Sequence, residues 1–195
     1  MKILTKEEIS LQDNQFRHSI LNGSIFVHPT DTIYGLGCNA MDGKAVNKLR
    51  SVKERPEDKP FSIIAPSKQW IKEFCEVPAN AEEWLDKLPG PYTLLLKLKN
   101  KDLIPYEVNG GRESIGIRIP DHWISKWVEE LNIPIITTSA NRHGNDFMTS
   151  IDDMDPNIKS MIDFVIYEDE KKGQPSTLVN LAEELIESAK ARKII

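Results

Sequence analysis

Apolar and polar positions along the chain follow two periods, one helical and one alternating. Over residues 5–22, Ile9, Phe16, Ile20 and Leu21 fall roughly on one helical face, and Gly23 supplies a stop. Residues 24–28 form a short apolar run that reads as a strand leading into Pro29. Residues 42–53 read as a helix capped by Asp42, with Ala45, Val46, Leu49 and Val52 at helical spacing, ended before Pro56. A buried strand follows at 61–65, then a helix capped by Ser67 that carries Trp70, Ile71 and Phe74, and a further helix near 80–88 ending at Pro89-Gly90-Pro91. Residues 92–98 and 114–119 are strands joined by a polar, glycine-rich connection with no helix in it. Asp121 is placed to cap a helix bearing Trp123, Trp127, Val128 and Leu131, and strands follow at 133–139, 163–167 and 177–181.

Strands interleaved with helices, but with two strands directly in succession, predict an α/β sheet of mixed direction. The 195 residues are 39% hydrophobic and 28% charged, with mean hydropathy −0.40, as expected of one globular domain, 1–195. No apolar run reaches the length of a membrane span, and the N-terminal residues are too polar for a signal peptide. Cys38 and Cys75 are too few for a disulfide framework, so a cytoplasmic protein is expected.

The net charge of −5 argues against a protein built to coat nucleic acid. Residues 44–59 run against it: Lys44, Lys48, Arg50, Lys53, Arg55 and Lys59 against three acidic residues leave this segment at +3 and the remainder at −8. The island is either a solvated helix face or a local anion site.

Several familiar patterns fail on context. Gly35-Leu36-Gly37-Cys38-Asn39-Ala40 matches a dinucleotide fingerprint but does not open a helix directly after a strand. His18, His28, His122 and His143 are not spaced with other His or Cys as metal ligands, so no metal site is expected. Ser139, His143 and Asp146 share one loop but lack a nucleophile elbow.

Four polar signatures remain at the ends of predicted strands, where α/β sheets place ligands. Pro29-Thr30-Asp31-Thr32 offers two hydroxyls and a carboxylate. Lys53, Arg55 and Lys59 lie within seven residues on a loop stiffened by Pro56 and Pro60, a cluster suited to a polyphosphate. Arg118 interrupts an otherwise apolar strand and needs an anion, either a structural carboxylate or a substrate's. Thr137-Thr138-Ser139-Ala140-Asn141 and Pro175-Ser176-Thr177 add groups that orient without titrating. The sum is a phosphate- and carboxylate-binding cleft with no obvious nucleophile or strong base, which favours group transfer by positioning and electrostatics.

In that order, PTDTIYGLG, KERPEDKPF, SIGIRIP, TTSAN and PSTLV resemble the YrdC-like family of threonylcarbamoyl-AMP synthases over roughly residues 8–181. The resemblance implies one twisted, mixed parallel and antiparallel sheet flanked by helices around a positively charged cleft, in the short single-domain form. It implies synthesis of threonylcarbamoyl-AMP and pyrophosphate from L-threonine, bicarbonate or CO2, and ATP with Mg²⁺. A downstream transferase would then use the product to modify tRNA beside the anticodon. Thr32, Arg118, Thr137 and Ser176 would serve threonine. Lys53, Arg55, Lys59, Ser114, Ser139, Asn141 and, late in the chain, Arg192 would serve ATP, with Lys53, Arg55 and Lys59 catalytic. The chain departs from the family pattern at Ile64, where longer members often carry His, at Phe147, where a Ser is usual, and in its last residues. Two other readings stand against the synthase. A non-catalytic RNA-binding module would bind RNA weakly through the basic island, which holds no aromatic residue to stack on bases. A carbamoyl-transfer domain of hydrogenase maturation would need zinc-finger and acylphosphatase-like regions, for which this chain lacks the length and cysteines.

Overall fold

A computed structural model describes residues 1–171 and 173–182. Its strands are β1 (Lys2–Leu4), β2 (Phe26–His28), β3 (Gly35–Gly37), β4 (Ser62–Ile64), β5 (Tyr92–Lys97), β6 (Ser114–Arg118), β7 (Ile135–Ser139), β8 (Phe164–Ile166) and β9 (Thr177–Asn180). They form one sheet in the order β1-β8-β2-β3-β7-β4-β6-β5-β9. The sheet is mixed, as expected: β1–β8, β2–β8, β4–β6 and β5–β9 are parallel, while β2–β3, β3–β7, β4–β7 and β5–β6 are antiparallel.

The helices are α1 (Lys6–Leu11), α2 (Asp13–Leu21), α3 (Gly43–Lys53), α4 (Lys68–Phe74), α5 (Ala79–Asp86), α6 (Tyr106–Asn109), α7 (Trp123–Leu131) and α8 (Pro156–Met161). Two sequence-marked caps form as read. Asp42 Oδ1 accepts from the amides of Lys44 and Ala45 at 3.0 and 3.2 Å, and Ser67 Oγ accepts from Trp70 at 3.0 Å. The helix expected over 5–22 is two helices, broken at Gln12. The cap of α7 is His122, whose Nδ1 accepts from the Ile124 amide, rather than Asp121. The Asp121 amide is instead held by the Asp31 carboxylate, and the helix starts one residue later. The 99–113 connection, expected to hold no helix, contains α6 and a single 3-10 turn. β1, β3 and α8 were not anticipated.

Because side chains alternate across a strand, the sheet's two faces can be read from its buried residues. Val27, Leu36, Ile63, Leu94, Leu96, Ile115, Ile117, Ile136 and Val165 belong to the larger core, with Val46 and Leu49 of α3, Ile71 of α4, Leu85 of α5 and Ile158 of α8. Phe26, Ile64, Ile135, Phe164 and Ile166 face the other way, onto Ile9 of α1, Phe16 and Ile20 of α2 and Trp127 of α7. These helices cover only one end of that second face. Toward β5 and β9 most of its alternate positions are polar or small, Ser62, Thr93, Gly116, Arg118, Thr137 and Ser139, with Leu178 opposite Thr93 an apolar exception. The site lies where the helical cover stops.

Candidate active site

A cleft of about 330 Å³ lies on this part of the sheet, and its wall includes Thr30, Gly35, Arg55, Ser62, Arg118 and Thr137. Ser139 and Ser176 line it as well, so all four sequence signatures converge. Among its lining residues the charged groups are two guanidinium ions, Arg55 and Arg118.

Arg118 is almost fully buried at the end of β6. Its Nη2 donates to Asp31 Oδ1 at 2.6 Å, and Nη1 and Nη2 each reach Thr32 Oγ1 at 3.3 Å. Burial pushes the guanidinium pKa down and Asp31 pushes it back up. Asp31 Oδ2 accepts from the Asp121 amide at 3.0 Å, which joins the two loops beside the cleft. Among the described residues Arg118 Nε has no hydrogen-bond partner. The anion that the sequence demanded is therefore supplied from within the chain, yet one donor remains uncommitted. Thr32 sits behind this pair, bonded also to Thr30 Oγ1 at 3.0 Å. Ser176 Oγ lies 2.7 Å from Thr93 Oγ1 across the β5–β9 edge.

The basic island is split: Lys44, Lys48 and Lys59 are exposed, whereas Arg50 and Lys53 are buried and Arg55 is half-buried. Arg50 Nη1 donates to the carbonyls of Pro56 and Lys59 at 2.7 and 2.9 Å, and its Nη2 donates to Glu107 at 2.8 Å. It thereby shapes the Lys53–Lys59 loop from beneath. Arg55 Nη2 donates to the Pro60 carbonyl at 2.8 Å and its guanidinium stands 5.1 Å from the Phe61 ring centre, so it is held in the cleft wall. Lys53 is 1% exposed. Its Nζ donates to the carbonyls of Ser139 and Asn141 and to Asn141 Oδ1 at 3.0 Å. Burial, with a smaller push from Arg55, lowers its pKa to about 7. Ser139 Oγ donates to Asn141 Oδ1 at 2.6 Å, so Lys53, Ser139 and Asn141 form one knot. Lys59 is half-exposed, with Nζ 3.8 Å from Asp58, and is not part of the cleft lining. Ser114 shares the sheet face with Arg118 but stands four residues away, roughly 13 Å along the strand, outside the lining. Arg192 lies outside the described residues. Ile64 is fully buried within the helix-covered cluster, and Phe147 is half-buried in the loop after Asn141.

A family model described as "Telomere recombination", which spans Sua5, YciO and YrdC proteins, matches residues 18–191. The chain belongs to the Sua5/YciO/YrdC family. A Methanocaldococcus jannaschii protein with the provisional name threonylcarbamoyl-AMP synthase is 38% identical over 186 residues, 94% of this chain and 86% of that protein. A Pyrococcus abyssi threonylcarbamoyl-AMP synthase is 33% identical over 168 residues, 84% of this chain and 49% of its own. The structure of P. abyssi Sua5 complexed with L-threonine superposes with a TM-score of 0.81 at 29% identity, covering 93% of this chain and 54% of that one. The chain thus spans about half the length of the P. abyssi proteins.

Within this Sua5/YciO/YrdC domain, sequence reasoning missed Ser62 and Thr93 as cleft residues and left Asp31 without a role. Ser62 is hidden in the apolar run 61–65, and only its alternation with Ile63 signals the polar face. Gly116, beside Ser62 in the pairing register, keeps the floor open, since a Cβ there would collide with Ser62 Oγ.

The segment after β8 crosses beside the Thr30–Tyr34 loop. Tyr34 Oη donates to the Glu168 carbonyl at 2.6 Å and accepts from the Glu168 amide at 2.9 Å. The Glu168 carboxylate accepts from Lys171 Nζ at 2.7 Å, His122 Nε2 at 3.1 Å and Trp123 Nε1. Burial alone would raise the Glu168 pKa, but these three donors outweigh it and bring it down to about 2 from 4.5. A depressed carboxylate pKa contributes stability above the unfolded value, and that stability is lost as pH falls through the folded one. Wild type is therefore expected to lose stability between pH 4.5 and 2 more steeply than Glu168→Gln, as read by urea midpoints across that range. Further on, Gly173 packs so closely on Thr32 that a Cβ would overlap the Thr32 carbonyl. Gly173→Ala is expected to displace the Thr32 loop, read as faster amide exchange over residues 30–34 than in wild type.

Proposed function

We propose that the chain is a threonylcarbamoyl-AMP synthase, joining L-threonine, bicarbonate or CO2, and ATP, and releasing pyrophosphate. The observation that carries this reading is the convergence, on one sheet face, of Arg118 on its Asp31–Thr32 support and Arg55 beside the Ser139–Asn141 knot. One cationic group suits a carboxylate and the other a phosphate, and the family relatives carry the synthase name.

In this mechanism Arg118 holds the amino-acid carboxylate through the donor that Asp31 and Thr32 leave free. The α-amine forms an N–C bond to carbon dioxide or bicarbonate, losing a proton and, from bicarbonate, a hydroxide. The resulting carbamate oxygen forms a bond to the α-phosphorus, and the bond from that phosphorus to the bridging oxygen breaks, releasing pyrophosphate. No side chain is covalently modified. Arg55 neutralises charge on the leaving pyrophosphate, and Lys59, exposed on the same loop, would have to swing toward it to assist. Lys53 acts as a positioning residue, setting the loop that presents Ser139 and Asn141 to the nucleotide. Among the described residues no three His, Cys, Asp or Glu side chains converge as metal ligands, and Asp31 is committed to Arg118 and Asp121. Magnesium accordingly enters as part of the nucleotide substrate. The product would pass to a transferase acting on tRNA. Among the described residues no helix is long and apolar enough to cross a membrane.

Pyrophosphate release tests the reading. It is expected to require ATP, L-threonine and bicarbonate together, and Arg55→Ala is expected to raise the ATP KM at least tenfold with an unchanged melting midpoint. Release that ignores threonine would refute the proposal.

A further inference from the structure

Ser62 faces the cleft and has no part in the chemistry above. It opens β4, lines the cleft half-buried, and its hydroxyl makes no hydrogen bond among the described residues. Its place in the cleft floor follows from the pairing register. Ser62 stands opposite Gly116 of the parallel strand β6 on one side and Thr137 of the antiparallel strand β7 on the other. Residues paired in this way share one face of the sheet. Two residues beyond Gly116, about 7 Å along β6, is Arg118; two residues beyond Thr137, about 7 Å along β7 in the opposite direction, is Ser139. Ser62 and Thr137 therefore form the middle row of the floor, between Arg118 and the Ser139–Asn141 knot.

This row offers two free donors to whatever fills the cleft. Thr137 lines it beside Ser62, and its hydroxyl also makes no hydrogen bond among the described residues. Gly116 carries no side chain, and the Ser62 hydroxyl lies in the room this leaves. Thr137 Oγ1 leans the other way, toward β3, 3.2 Å from where a Cβ on Gly35 would stand. The two hydroxyls thus diverge, each with a proton to give. The charged residues of the lining, Arg55 and Arg118, are both cations. A planar O–C–O anion, with one oxygen for each hydroxyl, matches this arrangement.

We propose that Ser62 binds the one-carbon substrate, its Oγ donating to the carbamate oxygen that stays behind while its twin attacks phosphorus, with Thr137 Oγ1 on the other side of the same group. The proposal rests on the synthase reading for the identity of the reaction. In that reaction the carbamate carbon lies midway along the bonds that join the amino-acid carboxyl carbon to the α-phosphorus. The middle row lies midway between the groups that hold those two ends. The α-amine adds to the carbon, forming the N–C bond and releasing a proton, and from bicarbonate a hydroxide as well. The two carbamate oxygens then share one negative charge. One bonds to the α-phosphorus as the pyrophosphate oxygen leaves. The other remains a carbonyl oxygen into the product and accepts from Ser62 throughout. A donor on that oxygen fixes which of the two faces phosphorus and keeps the carbon source beside the amine.

The test is the ¹³C line width of ¹³C-bicarbonate titrated with the full chain and saturating L-threonine, for wild type, Ser62→Ala and Ser62→Thr, with threonine binding read by calorimetry on the same samples. Wild type is expected to broaden the resonance saturably. Ser62→Ala is expected to weaken bicarbonate binding roughly tenfold, the loss of one hydrogen bond to an anion, with threonine binding unchanged. Ser62→Thr keeps the hydroxyl and is expected to recover most of the loss. In pyrophosphate release, the alanine variant is expected to raise the bicarbonate KM by about the same factor and to leave the ATP KM unchanged. Bicarbonate binding that ignores the alanine substitution, a threonine affinity that falls with it, a threonine variant no better than alanine, or a wild type that does not broaden the resonance overturns the proposal. Broadening is read without turnover. A wild type that binds bicarbonate beside threonine but releases no pyrophosphate therefore refutes the synthase reading, while the Ser62 variants still decide this one.

Discussion

Replacing Arg118 with alanine is expected to raise the L-threonine KM by about 100-fold, the loss of one charge-assisted contact worth about 3 kcal/mol. The same change strands Asp31, whose side chain is only 11% exposed, beside a vanished cation. An unpaired buried charge destabilises by about 3–5 kcal/mol. The two effects separate in Asp31→Ala/Arg118→Ala, which removes both charges. That double variant is expected to regain most of the lost stability in urea titrations while its threonine KM stays high. Recovery of threonine use together with stability would show that Arg118 serves the fold alone.

Lys53→Met is expected to cost stability and nucleotide use together. Methionine keeps the buried volume but removes three hydrogen bonds; the Ser139 carbonyl keeps the Asn141 amide and Asn141 Oδ1 keeps Ser139 Oγ, while the Asn141 carbonyl loses its donor. Losing charge-assisted bonds to groups of this kind costs on the order of 3 kcal/mol. The loop it ties down carries Ser139 and Asn141 and is pinned further by the His143 amide on the Lys53 carbonyl at 2.9 Å. The expected result is a lower urea midpoint, faster amide exchange over residues 139–145, and an ATP KM raised at least tenfold. An ATP effect with normal loop protection would instead place Lys53 on the phosphates directly.

Elements set by local chemistry were legible in the sequence. The α3 and α4 starts follow from Asp42 and Ser67, whose side chains cap the adjacent amides whatever the tertiary fold. The mixed sheet followed from two strands in succession, and β5–β6 is indeed antiparallel. The missed strands depend on distant partners. β1 has three residues and exists through its pairing with β8, and Gly-Leu-Gly reads as a turn until His28 and Thr138 are seen on either side of it. The α8 start did carry a local signal, Asp155 capping ahead of Pro156 at the first helical position, and it was overlooked.

At the site, residue types were legible and their directions were not. Three cations in seven residues look alike in sequence, yet Lys53 points inward to three oxygens, Arg55 lines the cleft and Lys59 is exposed outside the lining. Helix phase decides the first, since Lys53 closes α3 on the face that carries Val46 and Leu49 into the core. Arg118 was read as needing an anion, but its partner Asp31 is 87 residues away, and no local pattern links the two. The fate of Arg50 is similar: it belongs to the same basic island, but its three backbone acceptors make it a scaffold for the loop. With Arg50 and Lys53 turned inward, the island has fewer cations for an RNA backbone than its sequence suggests.

The central claim is that this cleft joins a carbamate made on threonine to the α-phosphate of ATP. Its most direct test is mass spectrometry of the nucleotide product formed from ATP, L-threonine and ¹³C-bicarbonate. The account predicts an AMP adduct carrying threonine and a single ¹³C, formed in step with pyrophosphate and absent when any one substrate is withheld. An adduct of AMP with threonine that contains no ¹³C, or pyrophosphate released with no threonine in the product, would contradict it.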